Sequence, residues 1–333
     1  VGSAAAAAAV AARGDGGLRC HVAGEGPHSH VSVRGGEPRK TGHPWESPMI
    51  MAVPKKGRIY EQVCKLLEGA GVEYKRKDRL DIAHCKNLPM TIVFLPAKDI
   101  ATYVAQGSVD VGITGEDTIA ESEMSVDVLL KLGFGKCNLC VQAPVTAQGL
   151  PDVRSLAGKR IVTSFPNLAK SYFKQFEEAG APTQIAYVSG SVEAACGLGL
   201  ADAIVDLVET GTTMRAAGLD EVALVMKSEV VLIKNPHSTH GELIDLLLQR
   251  INGYQTARSW VMLTYNVPRA SLPVVEAITP GKRSPTVTPL EDKNWVAVSA
   301  LVPKVRMSAI MDELAQNGAT DILATSLLTT RMI

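Results

Sequence analysis

Residues 193–218 read EAACGLGLADAIVDLVETGTTMRAAG, and the expected fold follows from this stretch. Residues 203–208 (AIVDLV) are a short apolar run bounded by turn signals, the pattern of a buried strand, interrupted by one carboxylate, Asp206. The run ends in Glu209-Thr210-Gly211-Thr212-Thr213, and helix-compatible sequence resumes at Met214. A strand that closes in a Thr/Gly loop and feeds a helix is a phosphate cradle. Glycine lets backbone N–H groups approach the anion, hydroxyls donate, and the helix start adds partial positive charge. The same loop would also cap an ordinary helix. The carboxylates favour the cradle, because a buried Asp is rare unless paired or coordinating. Asp206 in the strand and Glu209 at the loop mouth suit a sugar diol and a Mg²⁺-bound pyrophosphate.

Working outward, short apolar runs alternate with helical spacing. On the N-terminal side these are a strand at 49–53, a basic turn (Pro54-Lys55-Lys56-Gly57-Arg58) and a helix over 59–70 with Val63, Leu66 and Leu67 on one face. Strands at 90–95 and 109–114 follow, and Gly115-Glu116-Asp117 opens a helix with its acids placed for the dipole. A second unit starts at 158–164, continues through a helix over 168–179 and a strand at 184–188, and reaches the opening stretch. Buried strands alternating with helices predict mostly parallel sheets with crossover helices. The fold class is α/β: a two-lobed, periplasmic-binding-protein-like core with its ligand in the cleft, at the carboxyl ends of strands. The first lobe is expected over 49–143 with return strands at 222–238, and the second over 144–221. Residues 241–333 differ in texture: an amphipathic helix over 241–252, strands at 260–265, 295–302 and 319–326, and a proline-punctuated loop at 280–289. They predict a small ferredoxin-like (ACT-like) domain.

Composition narrows the function. The 333 residues carry 34 Lys+Arg and 34 Asp+Glu, and this balance argues against a nucleic-acid binder. No apolar run is long enough to cross a membrane. Six cysteines scattered along the chain fit a reducing compartment, so a cytoplasmic location is expected. Cys137 and Cys140 make a CxxC, but within a strand residues three apart face opposite ways, so the pair is not read as a metal or redox site. Residues 1–48, rich in Ala, Gly, Pro, Ser and His, are expected to be a disordered extension. Two readings of it stay open, an organellar transit peptide weakened by its acids and a translated upstream segment before Met49 or Met51.

Glu193, Gly199, Ala201, Ile204, Asp206, Leu207, Thr210, Gly211, Thr213 and Met214 stand at the spacings of the ATP phosphoribosyltransferase pattern, and the chain resembles that family from Met49 to its end. VPKKGR at 53–58, DVGITGED at 110–117, RIVTSFPNLAKSYF at 160–173, PGKRSPT at 280–286 and NWVAVSALVP at 294–303 carry the resemblance further. The last domain makes it similar to the long, fungal-type enzymes. The resemblance implies that adenine N1 of ATP attacks the anomeric carbon of 5-phosphoribosyl 1-pyrophosphate and that pyrophosphate leaves with its Mg²⁺, the first step of histidine biosynthesis. It implies that Thr210, Gly211, Thr212 and Thr213 hold the 5-phosphate, with Asp206 and Glu209 near the ribose hydroxyls. Lys55, Lys56, Gly57 and Arg58 would meet the phosphates of ATP or the pyrophosphate, and Arg79, Thr114 and Gly115 would line the same cleft. Asp206, Glu209 and Arg58 are the expected catalytic group, with no certain metal ligand on the protein. Asn266, Thr286, Leu301 and Asp321 match positions similar to the family's histidine-contacting ones, so feedback inhibition by histidine and a homo-oligomer, dimer or hexamer, are expected. The competing reading is a non-catalytic two-lobed ligand-binding or regulatory subunit, since fold alone does not fix function.

Overall fold

A computed structural model describes residues 48–77, 80–177 and 181–331, and of Arg58 the backbone. The expected disordered extension lies, up to position 47, outside the described residues. The first described strand is the apolar run of β1 (Met49–Pro54), which pairs in parallel with β3 (Met90–Leu95) and β4 (Val111–Gly115). Between them α1 (Arg58–Gly69) buries Val63, Leu66 and Leu67, the three-and-four spacing of an amphipathic helix. The short β2 (Ile82–His84) edges the sheet, and α2 (Ala97–Ala105) links β3 to β4. After β4 come α3 (Glu116–Ser122) and β5 (Asp127–Lys131).

The chain then crosses to a second sheet. β6 (Cys137–Pro144) and β7 (Arg160–Thr163) are followed by α4 (Pro166–Phe173), β8 (Gln184–Tyr187), α5 (Ala194–Gly197), β9 (Ala203–Val208), α6 (Thr212–Ala216) and β10 (Leu219–Ser228). Among the described residues the strand order here is β10-β6-β9-β7-β8. The chain returns with β11 (Val230–Lys234), which inserts antiparallel between β4 and β5, giving the first sheet the order β2-β3-β1-β4-β11-β5.

The expected boundaries are corrected in two respects, strand membership and the start of the last domain. Of the residues expected to return to the first lobe, 222–228 stay in the second sheet. β10 pairs antiparallel with β6 from Leu219↔Pro144 to Ser228↔Cys137, and β11 alone makes the return. Residues 137–143 likewise belong to the second sheet, because β6 pairs with β9 on one edge and β10 on the other. An apolar run announces a strand but not the sheet whose edge will accept its hydrogen bonds. The second correction concerns α7 (Gly241–Ser259), expected to open the last domain and to end near 252. Its Leu243, Ile244, Leu247 and Ile251 are buried in the core formed by β1, β3, β4 and α1, so most of this helix belongs to the first lobe.

The last domain runs β12 (Trp260–Pro268), α8 (Leu272–Ile278), β13 (Thr286–Pro289), β14 (Trp295–Pro303), α9 (Met307–Gln316) and β15 (Thr320–Ser326). Its sheet order, β13-β14-β12-β15, with every pairing antiparallel, is ferredoxin-like, as expected. β12 and β14 alternate strictly between buried and half-buried residues: Val261, Leu263, Tyr265 and Val267 face Val296, Val298 and Val302 in one core with α8 and α9. β13 falls within the stretch expected to be loop. Its Thr-Val-Thr suits a strand, and its proline is tolerated because β13 lies at the sheet edge.

Candidate active site

The loop that closes β9 lines a cavity of about 220 Å³ between the lobes. From the second lobe come Leu207, Val208, Glu209, Thr210, Gly211, Thr212, Thr213 and Met214, and from the first Ile59, Gly115, Asp117, Gly135 and Val230, with Cys137 at the crossing. The cavity thus sits at the carboxyl ends of β4 and β9, where open α/β sheets bind ligands. The loop is shaped internally. Gly211 has φ 71, the left-handed region, and a Cβ there would lie 2.6 Å from the Arg215 guanidinium. Arg215 Nη2 donates to the Thr210 carbonyl at 2.6 Å, tying a cation beneath the loop, while the Thr210 and Thr212 hydroxyls bond each other at 3.0 Å. Two hydroxyls, backbone N–H groups and a fixed guanidinium are the equipment of an anion site. The sequence alone assigns Arg215 no role, because its partner is a backbone carbonyl of the loop.

Asp206 does not line this cavity. It shares its strand face with Ile204 and Val208, and Val208 lines the cavity at the carboxyl end of that face, so Asp206 lies two residues behind the cavity wall. Burial pushes the Asp206 carboxyl above its ordinary 3.8, and the negative charge of Glu193 adds to the rise, against the hydrogen bond from the Leu207 N–H at 2.8 Å. Two carboxylates therefore stand near each other beside the phosphate-type loop. The proximity of Glu193 to Asp206 depends on how α5 packs against β9.

On the first lobe the expected residues separate. Gly115 lines the cavity, and its missing side chain is required, since a Cβ would lie 2.1 Å from Asp117 Oδ1. Asp117, also unexpected, is 6% exposed and accepts from the Ser228 hydroxyl at 2.5 Å. Thr114 is fully buried and its hydroxyl donates to the Ala97 carbonyl at 2.9 Å, so its side chain is committed to packing β4 against α2. Lys55, Lys56 and Gly57 sit at the carboxyl end of β1 without lining the cavity. Lys55 Nζ pairs with Asp81 at 2.6 Å, and Arg76, stacked 4.0 Å over the Phe94 ring, reaches the same carboxylate at 3.2 Å. Lys55 above all, then Arg76, holds the Asp81 carboxyl below its ordinary range. The Arg58 side chain and Arg79 lie outside the described residues. Burial raises the Cys137 thiol to about 11, so at the crossing it is a neutral thiol rather than a nucleophile. The CxxC does not close, for Cys140 is fully buried and its Sγ donates to Glu221 at 3.4 Å.

The four residues expected to contact histidine share the open face of the last sheet. Asn266 Nδ2 donates to Asp321 Oδ2 at 3.1 Å, and Asp321 takes φ 50 where the β12–β15 register shifts. Thr286 pairs with Ser299, and Leu301 lies opposite Met262, farther along β12 from Asn266.

These features define a two-lobed α/β protein whose cleft is built around the Thr210–Thr213 loop, followed by a ferredoxin-like module. The ATP phosphoribosyltransferase (HisG) family matches residues 96–253, and the C-terminal domain of HisG matches 257–329. An ATP phosphoribosyltransferase from Yarrowia lipolytica is 47% identical over 289 residues, covering 85% of this chain and 97% of the relative. That from Saccharomyces cerevisiae is 46% identical over 280 residues, covering 83% and 94%. Among solved structures, the ATP phosphoribosyl transferase (HisG:HisZ) complex from Thermotoga maritima superposes with a TM-score of 0.55 at 28% identity, covering 62% of this chain and 98% of that one. The chain belongs to the ATP phosphoribosyltransferase family, in its long form.

Proposed function

We propose that the chain joins ATP to 5-phosphoribosyl 1-pyrophosphate, giving N1-(5-phosphoribosyl)-ATP and pyrophosphate, the first step of histidine biosynthesis. The observation that carries this is the Thr210–Thr213 loop, with Gly211 left-handed, opening into the inter-lobe cavity. The loop's N–H groups and hydroxyls hold the 5-phosphate. Glu209, which lines the cavity, and Asp206, just behind Val208 on β9, are assigned to the ribose hydroxyls. The attacking atom is a ring-nitrogen lone pair, so no proton need be removed for the bond to form. What the site must supply is electrostatic: negative charge near a ribosyl carbon that becomes cationic, and donors for the departing pyrophosphate. Lys55, Lys56, Gly57 and Arg58 are assigned to those phosphates, together with Arg79, Thr114 and Gly115. Among the described residues no three His, Cys, Asp or Glu side chains converge on a metal position. Mg²⁺ is assigned to the pyrophosphate, where it neutralises the leaving group.

Mixing the protein with ATP, 5-phosphoribosyl 1-pyrophosphate and Mg²⁺ is expected to generate a new ultraviolet-absorbing adduct with release of pyrophosphate. Absence of adduct from folded protein would instead support a non-catalytic two-lobed binder. Histidine is assigned to the open sheet face around Asn266, Thr286, Leu301 and Asp321, and copies of the chain are expected to associate as a dimer or hexamer. A cytoplasmic location is in keeping with the free cysteines of the described residues, among which no helix is long and apolar enough to cross a membrane.

A further inference from the structure

α4 lacks a local cap. Its N-cap is Phe165, which offers no acceptor, and Pro166 fills the first helical position. A helix start leaves backbone donors that some acceptor must satisfy, usually the side chain of the N-cap residue itself. Here the acceptor comes from the other lobe. The N–H of Asn167 donates to Glu121 Oε1 and that of Leu168 to Glu121 Oε2, each at 3.0 Å, and Asn167 Nδ2 donates to the Glu121 carbonyl at 2.9 Å. Glu121 belongs to α3 of the first lobe, whereas α4 packs Ala169 and Phe173 into the core of the second.

The same helix touches the second lobe once more. Asp117, four residues before Glu121 and so on the same helical face, accepts from Ser228, the last residue of β10. Ser228 adjoins the point where the chain crosses between lobes, so the Asp117 contact lies close to the hinge. Glu121 lies about 6 Å farther along the helix axis, by the 1.5 Å rise per residue, and opening of the cleft strains it first.

We infer that Glu121 is an inter-lobe clasp: by capping α4 from the first lobe it holds the two lobes at the separation that sets the 210–213 loop against Gly115 and Asp117. Glu121 is a positioning residue, acting through the width of the cleft. The inference rests on the phosphoribosyl-transfer reading for its kinetic consequence, though not for its geometric one. Without the clasp, open forms take a larger share of the ensemble, and each substrate must close the cleft from its own binding energy. Saturating substrates still supply that closure.

The test uses the full chain with Glu121→Gln, Glu121→Ala and Asn167→Ala. Removing hydrogen bonds to a charged group predicts a rise of about tenfold in KM for both substrates in the Glu121 variants, with kcat nearly unchanged. A smaller rise in the same direction is expected for Asn167→Ala, which loses one bond only. Distances between paramagnetic labels introduced as unnatural side chains at exposed positions 98 and 174 should broaden toward longer values without substrate and narrow again when both substrates bind. A variant that unfolds at the wild-type temperature yet keeps the wild-type distance distribution overturns the clasp, as does a fall in kcat at unchanged KM. Should Glu121→Gln fail to fold, Asn167→Ala carries the decision on the same two readouts. Failure of the wild type to form adduct would remove the functional reading alone, since the label distances judge the clasp separately.

Discussion

Asp206 has a raised carboxyl because it is buried and faces another acid, and that carries opposite consequences for stability and for function. A carboxyl whose folded pKa lies above its unfolded one favours the folded state below the unfolded value and loses that contribution as pH rises through the folded value. Ionisation of Asp206 as pH rises is therefore a burden on the fold. Asp206→Asn should raise the unfolding temperature at pH 7, and the gain should shrink as pH falls toward the ordinary carboxylate range; calorimetry across pH checks this. The same change should lower kcat/KM for 5-phosphoribosyl 1-pyrophosphate by about 10- to 100-fold, the loss expected when a charged acceptor for the ribose hydroxyls becomes neutral. Gly211→Ala acts differently. The left-handed φ costs an L-residue about 1–2 kcal/mol, and the new Cβ would displace the Arg215 guanidinium that ties the loop. Steady-state kinetics should show KM for the same substrate rising while ATP is little affected.

Asp206 was legible in the sequence because it breaks an apolar strand, and Gly211 because only a few loops need a glycine there. Glu193, Asp117 and Arg215 were not, since each gains its role from a neighbour distant in sequence or from a loop's internal bonding: Glu193 from Asp206, Asp117 from Ser228, Arg215 from the Thr210 carbonyl. Thr114 misled in the other direction. The resemblance alone placed it along the cleft, and its hydroxyl bonds to the Ala97 carbonyl.

Among elements, the helices and long strands were readable from periodicity, but the partners of β6 and β10 were not, because two adjacent sheets can each accept an apolar strand. α4 is instructive here. Its Ser-Phe-Pro-Asn start looks poorly capped on paper, and the structure resolves this with Glu121 from another element. β15 makes a similar point. Its register shift against β12 places Asp321 at φ 50, a conformation Asn tolerates and Ala does not. Asp321→Asn should therefore keep the sheet intact and weaken inhibition by histidine. Asp321→Ala should do the same while also lowering the unfolding temperature by a few degrees. An inhibition curve unchanged in both would remove the histidine site from this face.

For the whole molecule, α7 joins its parts. Its first half lies in the first core, and β12 begins at the residue after it ends, with no loop between. Near its end the helix meets the chain terminus so closely that a Cβ on Gly253 would lie 1.9 Å from the Thr330 carbonyl. A chain stopped at 240, where the sequence placed the domain boundary, loses Leu243, Ile244, Leu247 and Ile251, all nearly fully buried. At about 1.5–3 kcal/mol each, that approaches the whole stability of a typical domain, and such a chain should show no cooperative unfolding transition. A chain stopped at 259 keeps the helix and should unfold cooperatively, as circular dichroism on heating would report.

The two crossings between sheets also bear on the order in which the protein is made. The second lobe is one unbroken segment, β6 through β10, enclosed within the first. The first sheet cannot close until β11 slots beside β4, which requires the ribosome to have finished everything between them. The lobe in the middle of the chain is thus free to fold while the lobe that begins the chain is still waiting for its returning strand, and on a stalled ribosome protease resistance should appear in the second lobe before the first.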